Sequence, residues 1–458
     1  MTKPGRSPSS PLPSGERERK QAMNADIRAM KTPAEQALAS AYAGARDKLP
    51  GKGAVAVLRE DAFRNFEARG LPHRRVEEWK YTDLRALMRD LYPLAAPPDA
   101  AAKARAKQAG KVLAGVDCRR LTFVDGVFAP ELSDLAPEAG VTIGSMAEAL
   151  AKGDPLVAAY VGNTFANEDV AVALNTALMG DGAVIRIAAG TEVKRPLHLV
   201  FASGDKPSSF FVRSLIVVEK GARVSVVDDH DSGEEQENAA LELVVRDEAE
   251  VEYVKITRAH ALHVASLMAS VGARARFRSF AFTCDGAVVR NQNFVRFAGE
   301  HTEAGIRGVS LLRGDDHVDT TLLIDHAKGH CVSREQFRAV LDDESHGVFQ
   351  GKIVVEPHAQ KTDAKMMTRA LLLTDRAEAD NKPELEIFAD DVVCGHGATA
   401  GALDASLKFY LMSRGISEHE AEALLIQAFI GETVEEIAHE GIREAVMRAA
   451  IEWLRGRG

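Results

Sequence analysis

Apolar positions along the chain change their period twice. From Thr32 they recur at helical spacing, beyond Asp181-Gly182 they alternate in short runs, and after Thr399 helical spacing returns. Thr32-Pro33 reads as a cap followed by a first-turn proline, opening an alanine-rich helix through Tyr42. A second helix fits Asp61 to Arg69, stopped by Gly70 and Pro72. Leu121 to Phe128, with Asp125-Gly126 in its middle, predicts a short hairpin. The central runs, among them Val184-Ile185-Arg186-Ile187, Leu215-Ile216-Val217-Val218 and Val224-Ser225-Val226-Val227, read as strands. Similar turn-and-strand words recur at Ala222, Ala249 and Ala273, spaced 27 and then 24 residues (249 − 222, 273 − 249). A strand-only repeat of that length predicts a parallel β-solenoid, in which each coil buries itself against its neighbours. Its ends would expose strand edges, for which the helical segments on both sides are natural covers.

Past Thr399, Leu403, Leu407, Tyr410 and Leu411 make one apolar face ending at Gly415. Ser417 with Glu420 and Thr433 with Glu436 then predict two capping boxes that open further helices. Leu424, Leu425, Ala428 and Phe429 on one helix, and Ile442, Val446, Ala450 and Trp453 on the next, fit either core packing or a partner's groove. The expected organisation is a disordered tail over 1–22, a mainly helical region with a short hairpin over 23–180, a β-helix over 181–396 and a helical region over 397–458. The tail is rich in Pro, Ser, Gly and charge, and Met23 directly after it is a plausible translation start.

Composition narrows the function. The 458 residues are 46% hydrophobic with a net charge of −10 and no long basic tract, which argues against nucleic acid or an anionic membrane as partner. No apolar run reaches membrane-spanning length and the N-terminus has no apolar signal core, so a cytoplasmic protein is expected. Four scattered cysteines, Cys118, Cys284, Cys331 and Cys394, make neither a disulfide framework nor a four-thiolate cluster site.

Candidate chemistry concentrates in Ala389-Asp390-Asp391-Val392-Val393-Cys394-Gly395-His396-Gly397-Ala398-Thr399, which holds the one close pairing of thiol and imidazole. Two residues apart on a strand, Cys394 and His396 face one side. Thiolate and imidazole are ligands shared by iron and zinc, yet two ligands fill half of a tetrahedral shell. On spacing alone, a small buried Cys beside a hydrogen-bonded His is the default reading. Asp390 and Asp391 could act as supporting carboxylates. Histidines 301, 317, 326, 330, 346 and 358 lie on the later coils and read mostly as turn or hydrogen-bonded residues. Asp228 to Glu237 reads as a solvated acidic insertion. Trp79 and Tyr81 read as anchors of the helical region onto its neighbour. The stretch around Gly351-Lys352 lacks P-loop spacing, so ATP is not expected there.

The words Gly347-Val348-Phe349-Gln350-Gly351-Lys352-Ile353, Ala359 to Ala364, Lys382-Pro383-Glu384-Leu385-Glu386-Ile387, the Cys394 run and the N-terminal Leu71 to Leu84 stretch resemble, in order, SufD-type subunits of the SUF iron-sulfur cluster assembly system. Family members often carry Ser where this chain has Gly395. The resemblance implies a β-helix flanked by helical regions and a non-catalytic scaffold, not an enzyme. It implies a complex with a SufB-type paralogue and a SufC-type ABC ATPase engaged by the C-terminal helices, where Leu424, Leu425 and Phe429 are the partner-binding candidates. A cysteine desulfurase and its carrier would supply sulfur indirectly. Cys394 and His396 would contribute to a transient iron-sulfur cluster, or iron, shared with the partner; a flavin is compatible but no motif for one is legible. A homodimer supplying the missing ligands, or a β-helix enzyme acting on carbohydrate, are the alternatives.

Overall fold

The computed structural model describes residues 31–204 and 206–456, so the expectations for the first 22 residues and for a start at Met23 lie outside it. Two parallel ladders run side by side as a β-solenoid. One stacks Arg119–Val124, Leu197–Ala202, Arg223–Ser232, the first halves of Glu250–Val271 and Arg276–Phe297, then Glu303–Leu312, Val332–Leu341, Asp363–Leu372 and Val393–Gly401. The second stacks Ala183–Ile187, Ser209–Val218, Gln236–Val245, the second halves of the two long strands, His317–His326, His346–Val355 and Glu378–Ile387. The β-helix with flanking helices is the architecture that the repeat predicts.

One corner of each coil is built the same way. A residue with positive φ, Gly221, Glu248, Arg274, His301, His330 or Lys361, precedes a fully buried small one, Ala222, Ala249, Ala275, Thr302, Cys331 or Thr362. The chain must reverse direction there while a small side chain fills the tight inner angle. The recurring alanine of the third coil is therefore Ala275 and not Ala273: Arg276 registers with Glu250 as Glu250 does with Arg223. Two alanines flank Arg274, and spacing cannot say which one turns inward. His301 and His330 are such corner residues, their rings stacked 4.7 Å apart.

Alternate residues of both ladders fill the interior, from Leu121, Phe123 and Ile185 through Phe277 and Phe297 to Ile353 and Met366. The outer faces are covered as well. The helix Val170–Leu178 is buried along its whole length; Asn175 within it donates to the Val212 carbonyl, and its Val170, Ala171 and Leu174 share a core with Phe211 and Val264. Trp79 works as the anchor foreseen: its indole donates to Asp169 at 2.8 Å, and the buried Arg290 guanidinium lies 3.8 Å over its ring. The first helix, Pro33–Ala45, carries a full capping box between Thr32 and Glu35; the second, Ala54–Arg69, starts earlier than expected. The hairpin forms about Asp125-Gly126, both at positive φ, and its first strand doubles as a rung of the solenoid.

Three expectations are corrected. The C-terminal helices Ala405–Ser413, Glu418–Val434 and Glu440–Arg455 do not cap the end of the rod; the last two lie along its flank, where Ile426, Ile430, Ile442, Val446 and Trp453 cover outward-facing Val254, Phe280, Phe282 and Val309. Thr433 opens no helix: it is buried near the end of Glu418–Val434, and His439 caps the next helix by accepting from the Ile442 N–H. Asp228 to Glu237 is no solvated insertion, since Asp228, Asp229, His230 and Glu237 are all buried within rungs. A cluster of charge looked like a loop because the alternation of strand faces was hidden by polar residues pointing inward.

Candidate functional site

Cys394 and His396 lie on the last rung of the first ladder, in register with Ala364 and Met366. Ala364 and Met366 are fully buried inward-facing residues, so Cys394 and His396 point into the solenoid cross-section as the alternation predicted. Among the described residues no further coil follows above them. Cys394 is half-buried against the core and His396 is exposed, although both occupy positions that lower coils seal. Burial raises the Cys394 thiol above its ordinary range. Among the described residues no side chain hydrogen-bonds His396. Asp391 is turned away into an ion pair with Lys361 and accepts no imidazole proton, so the structure does not bring the expected carboxylates to His396.

Beneath this pair sits a residue the sequence reading passed over. Glu335 registers with Met366, two rungs below His396 in the same inward column. It is fully buried, neither carboxyl oxygen has a hydrogen-bond partner, and burial pushes its pKa up to about 8. Counting back in twos from the inward Phe337 would have found it. The other three cysteines are free thiols embedded in the fold, with burial pushing Cys118 up to about 11 and Cys284 to about 12.

The two edges at this end differ in chemistry. Glu378–Ile387 carries Glu378, Asp380, Lys382, Pro383, Glu384 and Glu386, the charges and proline that discourage strand addition. Val393–Gly401, reading Val-Cys-Gly-His-Gly-Ala-Thr-Ala-Gly, has neither. Around it Ile387, Phe388 (59% exposed) and Val393 (62% exposed) leave apolar surface in solvent.

The second candidate surface lies on the C-terminal helices. Leu424 is exposed, whereas Leu425 is half-buried and Phe429 is tucked under the Arg338 guanidinium, 4.9 Å from its ring centre. Trp453, whose face fitted either core packing or a partner's groove, is buried on the flank. The larger exposed apolar group is on Ala405–Ser413, where Leu407, Phe409 (72% exposed), Tyr410 and Met412 stand clear. Phe409 escaped the sequence reading because helical periodicity assigned it to the polar side.

No described helix is long and apolar enough to cross a membrane. A family model described as "SUF system FeS cluster assembly, SufBD core domain" matches residues 200–429, and one for the "SufBD protein N-terminal region" matches residues 33–199. An iron-sulfur cluster assembly SufBD family protein of Synechocystis is 33% identical over 386 residues, 80% of this chain and 84% of its own length. The iron-sulfur cluster assembly protein SufD of Escherichia coli is 30% identical over 387 residues, 82% of this chain and 88% of its own. SufD of Bacillus subtilis is 28% identical over 293 residues, 61% and 66% of the respective lengths. None of these relatives favours a carbohydrate-active enzyme. With matching models on both the N-terminal region and the solenoid core, the chain belongs to the SufBD family of the SUF iron-sulfur cluster assembly system.

Proposed function

We propose that this chain is a non-catalytic scaffold subunit on which a nascent iron-sulfur cluster is built at the open end of the solenoid, jointly with a SufB-type paralogue in the cytoplasm. One observation carries the reading: a thiol and an imidazole sit at inward positions on a terminal rung whose edge is unguarded. Strand addition along Val393–Gly401 would continue the ladder into a second chain and complete a ligand shell that two residues leave half filled. Iron is the cargo. The His396 imidazole binds it while the partner supplies thiolates, and Cys394 holds sulfur or completes the wall. Sulfur arrives from a cysteine desulfurase and carrier. A SufC-type ATPase docks on the exposed face of Ala405–Ser413 together with Leu424. Deleting these helices is a poor test of docking, because it would also lay bare Phe280 and Phe282.

His396→Ala tests the site. In a complex co-purified with the paralogue and ATPase, iron and acid-labile sulfide per complex should fall severely while subunit stoichiometry is kept. A normal cluster content would refute the assignment; failure to assemble would make His396 a structural residue of the junction. Cys394→Ser should have the milder effect.

A further inference from the structure

Along most inward columns the solenoid is apolar, and apart from Glu335 below the open end a band of charge interrupts it far from that end. In one ladder, the column Phe123, Phe201, His230 places the His230 ring flat on Phe201, with ring centres 4.6 Å apart. In the other, Phe210, Glu237, His263 and Val289 stack in register, so Glu237 and His263 are bracketed by apolar residues. Glu237 reaches across and joins the two imidazoles: one carboxylate oxygen is 2.7 Å from His230 Nδ1 and the other 2.9 Å from His263 Nδ1. All three side chains are essentially sealed from solvent. An imidazole, carboxylate and imidazole in such a place are costly to desolvate and serve packing less well than the phenylalanines and valines around them.

We propose that His230, Glu237 and His263 form a binding site for a divalent first-row metal ion inside the solenoid. The donor set is two neutral nitrogens and one carboxylate, a combination that suits zinc or iron(II). Among the described residues it is the one group of His, Cys, Asp and Glu whose ligand atoms converge, all within 4.8 Å of one another. Metal bonds of about 2.0–2.1 Å at tetrahedral angles need ligand atoms roughly 3.3 Å apart, so the hydrogen-bonded spacings must open by about half an ångström.

A further contact orients His230 for a metal that displaces its Nδ1 proton, since Glu237 and Asp228 face its two ring nitrogens. Asp228 lies 3.1 Å from His230 Nε2 and is itself fixed by the Tyr253 hydroxyl at 2.6 Å. A carboxylate holding the far nitrogen protonated leaves Nδ1 with its lone pair aimed at the ion, the orientation that ligating histidines take. Six rungs separate His230's strand from the terminal one, roughly 30 Å along the rod, so the site is separate from Cys394 and His396. Its role is to fasten the two ladders across the interior.

The test uses the full chain carrying Cys394→Ser and His396→Ala, which removes the open-end ligands from the count. Produced in zinc-supplemented medium and washed with chelator, it should retain about one zinc per chain, and zinc-edge absorption should report imidazole and oxygen donors without sulfur. Adding Glu237→Gln should lower retained zinc at least tenfold in protein whose circular dichroism matches the parent. Asp228→Asn should weaken retention about tenfold by freeing His230, and it serves where Glu237→Gln fails to fold. A folded parent without zinc, a sulfur-containing shell, or a folded Glu237→Gln chain that keeps its zinc would each overturn the proposal.

Discussion

At its first end the solenoid finishes both ladders with antiparallel strands, Val127–Phe128 against Arg119–Val124 and Val141–Ser145 against Ala183–Ile187, whereas at its last end Glu378–Ile387 and Val393–Gly401 have a strand partner on one side only among the described residues. The interiors differ in the same sense. Phe123, stacked on Phe201 at 4.7 Å and packed beside Phe128, plugs the first end. At the last end the column of Phe123 finishes in Ala400, and other inward positions of the same rung carry a thiol and an imidazole. A solenoid has to stop somewhere, and an unfinished edge invites another chain. One end is therefore built to terminate the rod and the other to be continued by a partner, with the functional groups placed where continuation would bury them.

The sharpest break of this contrast comes from the plugged end. Phe123→Ala removes a fully buried ring from a stack with no means of collapse and should cost about 3–5 kcal/mol, read as a large drop in the denaturation midpoint of the isolated chain. A loss below about 1 kcal/mol would mean that the first end is as loosely finished as the last.

Next in size is the buried carboxyl below the open end. The folded chain keeps the Glu335 proton up to about pH 8, while the unfolded chain releases it near pH 4.3. Between those values the folded state binds more protons, so stability falls as pH rises, by up to about 1.4 kcal/mol per unit, and levels off above pH 8. Glu335→Gln should remove this slope and stabilise the chain by a few kcal/mol at pH 8 while changing little at pH 4. Parallel slopes for variant and parent across pH 5–8 would show that the carboxyl is ionised and solvated. If the open end is covered in the assembled complex, the fall should extend above pH 8 there at the same slope, since a cover removes the nearest water and raises the folded pKa further.

How much of this was legible beforehand follows from what a repeat can encode. The solenoid announced itself because each coil repeats an αL residue and a small buried one at nearly constant intervals, and Cys394 and His396 could be assigned to one strand face by parity alone. The flank position of the C-terminal helices was not legible: Ile426 and Trp453 are as apolar on a flank as on a cap, and what they cover, Phe280 and Phe282, looks like core in any strand. His230, Glu237 and Glu335 were lost for a different reason. Burial of polar groups inverts the hydrophobic alternation on which strand reading depends, and pairing across two ladders is invisible until the coils are stacked.

The smallest expected effect on the chain itself lies at the open end, and there the comparison is most exposed to failure. Phe388 and Val393 are largely in solvent beside the unguarded edge, so Phe388→Ser with Val393→Lys should change the stability of the isolated chain by no more than about 0.5 kcal/mol. Their effect should appear on association, because a lysine on a bare edge and the loss of apolar area both oppose strand addition. Co-expressed with a SufB-type paralogue, the double variant should be captured far less than the parent, with the Ala405–Ser413 surface left intact as an internal control for ATPase binding. Unchanged capture would show that the partner docks elsewhere and that the bare edge is merely where the rod stops. A stability loss of several kcal/mol would show instead that Phe388 and Val393 hold the last coil together, and that this end, too, is a finished one.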